Sequence, residues 1–429
     1  MIREKVAAHR FVSRLVQVGL ARGRRDTVRS LRRRRPGPAR VITYNAYGMS
    51  GAARATLNLV AHLDSHGEVE LISTFRYRED PFFPIPPGVR MTTLDDRRPG
   101  IRKSRLRRLL ELLPSALVHP DDPLRQRFTA YTDWRLLRAI RSANGGLLLT
   151  SRTSFNALAG RFATHTATAI GLEHFSYSFH SPDLLQEIRT SHPDLDAFVA
   201  LTEADERAFR ALFVRRQPRM IRRVPNAVPE LPGRPSTQRE KRIVGAGRLS
   251  QEKGFDSLIE AFARVAAAHP DWQLQIYGEG NHRLDLERLV IEHGVSNIVD
   301  LPGSTHDLGT KLAEASIFAL PSRFEAFPMV ILEAMSKGAA IVSFDCPTGP
   351  RQMITHGHDG LLVPAEDVAA MARELDRLMH DPQLTASLGE QARVTAKAYS
   401  PAAVGARWDA LLDELSGGAG HGAASHTRI

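Results

Sequence analysis

Short apolar runs alternate with amphipathic stretches of helix length from residue 40 onward. This alternation is typical of parallel α/β units. In the first half we predict strands at Arg40–Tyr44, Val69–Thr74, Gly146–Thr150, Ala167–Leu172 and Ala197–Leu201. We predict helices at Ala52–His66, Phe155–Ala163 and Ala204–Phe213. The first half therefore reads as one Rossmann-like unit.

The same alternation begins again after residue 240. We predict strands at Arg242–Gly247, Gln273–Tyr277, Ile298–Leu301, Ile317–Leu320, Ala340–Phe344 and Gly360–Val363. Late helices are predicted at Asp367–His380, Gln383–Tyr399 and Ala403–Leu415. Two Rossmann-like halves predict an α/β protein with a cleft between the carboxyl ends of its two sheets.

Composition shifts along the chain predict the domain boundaries. Residues 1–38 form a basic extension, 39–228 the first domain, 229–240 a Pro-rich linker and 241–400 the second domain. We expect the helix near 401–415 to pack back on the first domain. Residues 416–429, rich in Gly, Ala and His, are expected to be disordered. The Pro- and Arg-rich stretch Glu79–Pro120 is predicted to be an irregular insertion.

Composition narrows the class of protein. An apolar content of 42% and a charged content of 24% are those of a soluble globular protein. Cys346 is the only cysteine, which excludes a disulfide framework or a cysteine-based zinc site and favours a reducing compartment. No apolar run approaches the roughly 20 residues of a membrane-spanning helix. We expect a cytoplasmic protein.

The net charge of +11 is unevenly distributed. Residues 1–40 hold 13 Lys and Arg against two acids, and a second basic cluster lies at residues 102–108. Such patches attract the phosphates of nucleic acids, anionic lipids or nucleotides. Apolar residues among the basic ones in 1–38 fit an amphipathic helix that lies on the anionic inner face of a membrane. The alternative is a solvated basic extension, and nucleic acid is the less favoured partner.

The segment Ser322–Met335 carries the strongest chemical pattern. Glu325 and Glu333 lie on either side of the start of a predicted helix. Pro328 suits the first helical position, because the N–H that it lacks has no helical partner there. The following N–H groups then form an anion site together with the helix dipole. A diphosphate bound there would have a carboxylate on each side to accept sugar hydroxyls.

A second pattern, Gly245–Phe255, follows the first strand of the second half. Arg248 and Lys253 are five residues apart across a turn and can grip one diphosphate from two directions. The guanidinium would bind in a bidentate manner and the ammonium as a point charge. The alternative is a pair of solvated surface charges.

Two glycine loops complete the candidate site. Gly278 belongs to a Gly-x-Gly that follows a predicted strand, and we interpret it as room for a nucleotide. Gly51 ends a loop of small residues whose N–H groups would face the cleft from the first domain. The alternative for this second loop is an ordinary helix cap by Ser50.

In this order, the segments Gly247–Phe255 and Glu325–Glu333 resemble those of retaining, nucleotide-sugar-dependent glycosyltransferases of family 4, which have the GT-B fold. The match is good from about Lys241 to Ser400. It is weaker in the first half, where Gly51–Arg54 and Val224–Val228 still fit. The resemblance implies an acceptor domain followed by a nucleotide-sugar donor domain.

The resemblance also implies roles for individual residues. Arg248 and Lys253 would bind the donor diphosphate, Glu333 the ribose hydroxyls and Glu325 the donor sugar. Gly51 would close over the diphosphate. The backbone that touches sugar and phosphate would be that of Ala326, Phe327, Pro328, Met329 and Val330.

His174 follows a predicted strand, where related enzymes place a histidine near the donor sugar; a purely structural role is the alternative. Ala326 departs from the pattern, because a glycine is usual there. Alanine restricts φ, so the loop must adopt a conformation that alanine tolerates, or the sugar pocket is altered.

The expected activity is metal-independent, front-side displacement with retention, which moves a hexosyl unit from a nucleotide-diphosphate sugar to a hydroxyl group. No cofactor is expected, and a UDP-sugar is favoured over a GDP-sugar. The acceptor would be a glycan, a glycolipid or an anionic cell-envelope molecule. Two alternatives stay open: a basic membrane- or nucleic-acid-binding protein with a vestigial site, and a GT-B nucleotide-sugar epimerase.

Overall fold

The computed structural model describes residues 37–237 and 240–417. The predicted basic extension therefore lies outside the described residues up to residue 36, as does the predicted tail from residue 418. The described chain forms two α/β domains, each built on one fully parallel sheet.

The first domain contains a seven-stranded sheet in the order β3-β2-β1-β4-β5-β6-β7. Its strands are β1 Ala39–Thr43, β2 Val69–Arg76, β3 Arg90–Asp96, β4 Leu147–Thr150, β5 Thr168–Leu172, β6 Ala197–Ala200 and β7 Met220–Arg223. Its helices are α1 Gly51–Asp64, α2 Arg105–Glu111, α3 Ala130–Arg141, α4 Thr153–Phe162, α5 Pro182–Ser191 and α6 Glu203–Leu212.

The second domain contains a six-stranded sheet in the order β10-β9-β8-β11-β12-β13. Its strands are β8 Arg242–Ala246, β9 Gln273–Tyr277, β10 Val299–Gly303, β11 Ile317–Leu320, β12 Ala340–Asp345 and β13 Leu361–Pro364. Its helices are α7 Phe255–Val265, α8 Arg283–Glu292, α9 Leu308–Ala313, α10 Met329–Lys337, α11 Val368–His380 and α12 Pro382–Ala396. A last helix, α13 Pro401–Ser416, follows.

The central strands are apolar because helices cover both faces of each sheet. Every residue of β4 and of β11 is buried. In both sheets the strand order reverses at the first strand, between β1 and β4 and between β8 and β11. Ligands of open α/β sheets bind beyond the carboxyl ends of the strands at such switch points. The loops after these four strands are therefore the candidate site.

The helix α13 returns to the first domain. Its residues Val404, Trp408, Leu411 and Leu415 pack in one apolar cluster with side chains of β1, β2 and α1. The linker is held by Lys337, whose Nζ donates to the carbonyl groups of Leu231 at 2.8 Å and Gly233 at 2.7 Å.

None of the described helices combines the length and apolar composition that crossing a bilayer needs.

The prediction of an irregular insertion at Glu79–Pro120 was wrong in part. The stretch contains the edge strand β3 and the short helix α2. The strand β3 is polar because it pairs on one side only, and its sequence therefore lacks the apolar run by which a central strand is recognised. The helices α3 and α5 and the edge strand β7 were also missed.

Candidate functional site

The loop between β11 and α10 is buried around Glu325. The Oε1 atom of Glu325 accepts a hydrogen bond from the Ser322 hydroxyl at 2.8 Å, and the Thr348 hydroxyl donates to the Glu325 carbonyl. Gly349, with φ of +87°, lets the loop after β12 pack here, since a Cβ on it would lie 2.8 Å from Pro328. The Glu325 carboxylate is thus held in one position by its own domain.

Lys253 meets this carboxylate directly. Its Nζ lies 2.5 Å from Glu325 Oε1, so the two residues predicted to contact diphosphate and sugar are an ion pair in the protein. The approach depends on Gly254, which has φ of +64° and whose Cβ would lie 2.1 Å from the Pro321 carbonyl oxygen. Only glycine lets the loop after β8 lie this close to the loop after β11.

Arg248 lies on the same β8 loop and is exposed. Its guanidinium is 4.0 Å from the Glu252 carboxylate, a contact between two exposed side chains four residues apart. Such a pair adds little stability, and it leaves Arg248 able to turn toward a bound anion.

The Gly-x-Gly after β9 has a steric role, and its predicted role as room for a nucleotide stays a prediction. Gly278 has φ of +149°, and a Cβ there would lie 1.8 Å from the Gly247 carbonyl oxygen. A Cβ on Gly280 would lie 2.0 Å from the Leu249 carbonyl oxygen. These glycines let the loops after β8 and β9 lie side by side, which fixes the path of the backbone around Arg248.

The helix α10 begins at Met329, and Pro328 is its N-cap residue with ψ of 88°. The prediction that Pro328 is the first helical residue was therefore wrong by one position, because Pro328 does not have helical ψ. Met329 and Val330 form the first turn, and their N–H groups have no partner within the helix.

The first domain brings a second helix start to the same place. The helix α1 begins at Gly51, and the Ser50 hydroxyl accepts from the Ala53 N–H at 3.1 Å, so the alternative of a helix cap is also present. A Cβ on Gly51 would lie 3.6 Å from Met329 Cγ. The first residues of α1 and α10 thus meet across the cleft.

One turn further on, Arg54 of α1 lies 3.4 Å from the Glu333 carboxylate of α10. Burial raises the pKa of Glu333, and the nearby Arg54 guanidinium lowers it, with burial the stronger effect. The ring of Phe83 lies 4.6 Å from the guanidinium carbon of Arg54. Arg54 belongs to the segment Gly51–Arg54, which fits the family resemblance, but no role was predicted for it. The neighbouring sequence does not indicate a partner in the other domain.

The structure accounts for Ala326. Among the described residues other than glycine, Glu366 alone has a positive φ. Ala326 therefore has a negative φ, the conformation that alanine tolerates. The next residue, Phe327, packs against apolar clusters of both domains, and its ring centroid is 6.3 Å from that of Tyr399.

His174 follows β5 in the first domain. Burial lowers its pKa to about 4, so the imidazole is neutral at pH 7. Its Nε2 atom is buried without a hydrogen-bond partner, and so is Oε2 of the adjacent Glu173. Burial likewise raises the pKa of Glu173. Unpaired buried polar atoms are costly, so His174 Nε2 is a candidate for contact with a ligand, whereas Glu173 Oε2 has His180 Nε2 at 3.8 Å.

Aromatic contacts bring the loop of His174 to the other domain. The ring of Phe179 in this loop is 6.0 Å from that of Phe324, one residue before Glu325. At a second point the ring of Phe82 stacks on His306 with centroids 4.2 Å apart. The two domains therefore contact each other at more than one point.

Within the described ranges, one group of side chains brings potential metal ligands together. His62 Nε2 and His66 Nε2 lie 2.8 Å and 3.5 Å from Asp409 Oδ1. These residues join the end of α1 to α13, roughly 17 Å along α1 from Gly51. The group is too far away to act in the cleft.

Residues 232–395 match the family model described as "Glycosyl transferases group 1". The match is limited to the linker and the second domain. The group 1 segment contains all of the predicted donor-side residues, namely Arg248, Lys253, Gly278, Glu325–Val330 and Glu333.

Two curated relatives extend the likeness beyond this segment. The exopolysaccharide phosphotransferase of Streptomyces coelicolor is 34% identical over 381 residues, which are 86% of this chain but only 40% of that protein. A Campylobacter jejuni N-acetyl-D-galactosaminyltransferase, whose name specifies an undecaprenol-diphosphate-linked acceptor, is 23% identical over 85% of this chain and 95% of its own.

Solved structures identify the architecture. TarM of S. aureus, solved as a variant with fondaparinux, α-GlcNAc-glycerol and UDP, superposes with a TM-score of 0.68 at 14% identity. The superposition covers 89% of this chain and 99% of TarM. The chain has the GT-B fold, as predicted.

Proposed function

We propose that this chain is a retaining, metal-independent glycosyltransferase that moves a hexosyl unit from a nucleotide-diphosphate sugar to a hydroxyl group of a glycan or cell-envelope acceptor. The observation that carries the proposal is the meeting of α1 and α10 at Gly51 and Met329. The N-termini of two helices, one from each domain, offer unpaired N–H groups and two positive dipole ends at one place. A pair of helix N-termini of this kind favours a doubly charged anion such as a diphosphate.

The charges around this point fit the same ligand. Lys253 is within reach, held by Glu325, and Arg248 is exposed on the same loop. Glu333, on the far side of the helix start, is buried and offers its carboxylate to ribose hydroxyls. When a donor binds, Lys253 turns from Glu325 to the diphosphate, and Ser322 continues to donate to Glu325.

The mechanism follows from these positions. Lys253, Arg248 and the helix N-termini stabilise the leaving diphosphate, which is where negative charge develops. Glu325 is fixed by its partners and orients the donor sugar, so it is not the attacking group. The acceptor hydroxyl attacks from the side on which the diphosphate leaves, and a departing phosphate oxygen takes its proton. His174, neutral at pH 7, donates or accepts one hydrogen bond at the sugar.

The substrates are proposed from the relatives. The TarM structure contains UDP, which supports a UDP-sugar donor over a GDP-sugar. The names of the Streptomyces and Campylobacter relatives refer to an exopolysaccharide and to a lipid-linked glycan. A glycan, a glycolipid or another anionic cell-envelope molecule is therefore the proposed acceptor class.

The first test is ligand-induced stabilisation. UDP at a hundred times its Kd should stabilise the folded chain by about 2.7 kcal/mol, and GDP at the same concentration by less. The Arg248→Ala variant should lose most of this shift. Arg264→Ala is the matched control, because Arg264 also pairs with a glutamate four residues away and lies outside the candidate site.

Turnover separates the enzyme from its alternatives. Release of UDP from a UDP-sugar, unaffected by a chelator and giving the donor's anomeric configuration in the product by NMR, is the expected result. An inverted anomer would overturn the retaining mechanism. Interconversion of the sugar without an acceptor would indicate an epimerase. Nucleotide binding without any turnover would indicate a binding protein.

A further inference from the structure

Two charged residues of the short helix α2, Arg107 and Glu111, face the first domain. Arg107 is buried, and its guanidinium lies 2.7 Å from Asp95 and 2.7 Å from Glu111. Lys103 also lies 2.7 Å from Glu111. The Arg107 guanidinium further donates to the Asp96 carbonyl at 2.7 Å. This network fixes the helix to the carboxyl end of β3.

The outer face of the same segment is apolar. Four leucines are between 54% and 80% exposed: Leu106, Leu109, Leu112 and Leu113. An ordinary surface helix turns its leucines toward the core and its charges toward water. Here the pattern is inverted, and the inner ion pairs prevent the helix from rotating to bury the leucines. An apolar surface that a fold holds outward in this way marks a contact site.

Basic residues surround the leucines. Arg102, Arg105 and Arg108 are exposed on this segment. The neighbouring helix α3 adds Trp134, which is 43% exposed. The ring of Trp134 is 6.1 Å from that of Tyr131, and the Arg107 guanidinium lies over the Tyr131 ring. Exposed leucine and tryptophan flanked by arginine is the composition of a surface that lies in the headgroup region of a membrane.

The position of this surface matters for the cleft. All strands of the sheet are parallel, so the carboxyl end of β3 lies at the same edge of the sheet as the loops after β1 and β4. The surface is therefore on the cleft side of the first domain, at its outer end.

We propose that the leucine surface, defined as Leu106, Leu109, Leu112, Leu113 and Trp134 with the arginines at 102, 105 and 108, docks on an anionic phospholipid bilayer. The bilayer supplies negative charge to the three exposed arginines of this surface. A second copy of the chain is the less suitable occupant, because a twofold contact would place arginine against arginine.

Docking in this way would hold the open end of the cleft at the membrane, where a lipid-linked acceptor lies. This consequence rests on the proposed function, whereas the docking itself does not. Docking through the leucine surface also differs from membrane binding through residues 1–38. It predicts that substitutions within the first domain weaken membrane binding.

The test uses the full chain and two sets of vesicles, one of phosphatidylcholine alone and one of equal parts phosphatidylcholine and phosphatidylglycerol. We expect partitioning onto the anionic vesicles only, with a blue shift of tryptophan emission. Trp134 is the reporter, since Trp272 and Trp408 are buried. The variant Leu106→Ser/Leu109→Ser/Leu112→Ser should bind roughly tenfold more weakly or worse. Each of Arg105→Gln and Arg108→Gln should weaken binding about fivefold.

Leu284→Ser/Ile291→Ser is the matched control, because both side chains are exposed on α8 of the other domain. It should bind like the unaltered chain. Three results would overturn the proposal: unchanged binding by the leucine variant, no partitioning onto anionic vesicles, or a concentration-dependent dimer that the leucine variant abolishes. Turnover on a soluble acceptor should be unaffected by the leucine substitutions, so a failure of docking is distinguishable from a failure of the proposed activity.

Discussion

The ion pair between Lys253 and Glu325 makes a quantitative prediction. The two charged atoms are 2.5 Å apart, the Glu325 side chain is 8% exposed and that of Lys253 is 24% exposed. At an effective dielectric constant of about 20, unit charges at this distance attract by roughly 7 kcal/mol. Desolvation and loss of side-chain freedom offset much of this attraction. We expect a coupling energy of about 2–3 kcal/mol.

A double-mutant cycle with Lys253→Met and Glu325→Gln measures this coupling by urea unfolding. Lys253→Met alone should lower the free energy of unfolding by about 3 kcal/mol, because it leaves a buried carboxylate without its cation. The double variant should recover most of that loss. Lys241→Met is the matched control: its pair with Asp271 is 56% exposed on both sides and should contribute less than about 1 kcal/mol.

The same variants separate stability from turnover. If Lys253 stabilises the leaving diphosphate, the double variant should stay roughly a hundredfold or more below the unaltered chain in kcat although its stability has returned. Because Glu325→Gln also alters the proposed sugar contact, the double variant is compared with Glu325→Gln alone. Equal kcat in these two variants would show that Lys253 only holds Glu325. A coupling energy within about 0.5 kcal/mol of zero would refute the reasoning from the structure altogether.

Three further predictions concern other parts of the cleft. Arg54→Gln removes the charge that lowers the pKa of buried Glu333, so the pKa of Glu333 should rise further. An acid whose pKa is raised in the folded state destabilises the fold once it ionises. Thermal unfolding should therefore show a larger loss of stability at pH 8 than at pH 5. Gly278→Ala should cost about 3 kcal/mol or more in urea unfolding, whereas Gly294→Ala, with φ of +68° and open space around it, should cost about 1 kcal/mol. His174→Phe removes an unpaired buried nitrogen, so stability should be unchanged or higher by about 1 kcal/mol, while kcat/KM should fall about tenfold; equal activity would favour the structural alternative.

The central strands could be predicted because burial on both faces leaves a continuous apolar run. The predicted bounds of Ile317–Leu320 agree with the fully buried strand β11 residue for residue. Those of Gln273–Tyr277 also agree with β9, although Gln273 is exposed there. The edge strands β3 and β7 were missed because their sequences are polar, whereas the edge strands β10 and β13 keep apolar residues and were predicted to within two residues of their bounds. The strands β3 and β7 carry Arg, Thr and Asp, and nothing in their local sequence distinguishes them from a loop.

The donor side of the candidate site could be proposed from sequence because its groups lie in the loops that follow β8, β9 and β11 or in the helix α10. What the sequence could not supply is the set of partners. Arg54 and Glu333 come from different domains, and their contact depends on how two separate sheets are placed. Likewise, the steric need for Gly278 arises from a carbonyl of another loop, so its Gly-x-Gly was interpreted by its usual role alone.

The charges of the cleft are paired within the protein, and this bears on how a sugar nucleotide would be bound. Lys253 lies on Glu325 and Arg54 on Glu333, so neither carboxylate is an isolated buried charge in the unliganded chain. A donor that takes Lys253 onto its diphosphate brings its own negative charge and leaves Glu325 with Ser322. A donor ribose that binds Glu333 has to share that carboxylate with Arg54 of the other domain. If Glu333 binds the donor ribose as proposed, nucleotide binding and contact between the domains would be coupled through Glu333.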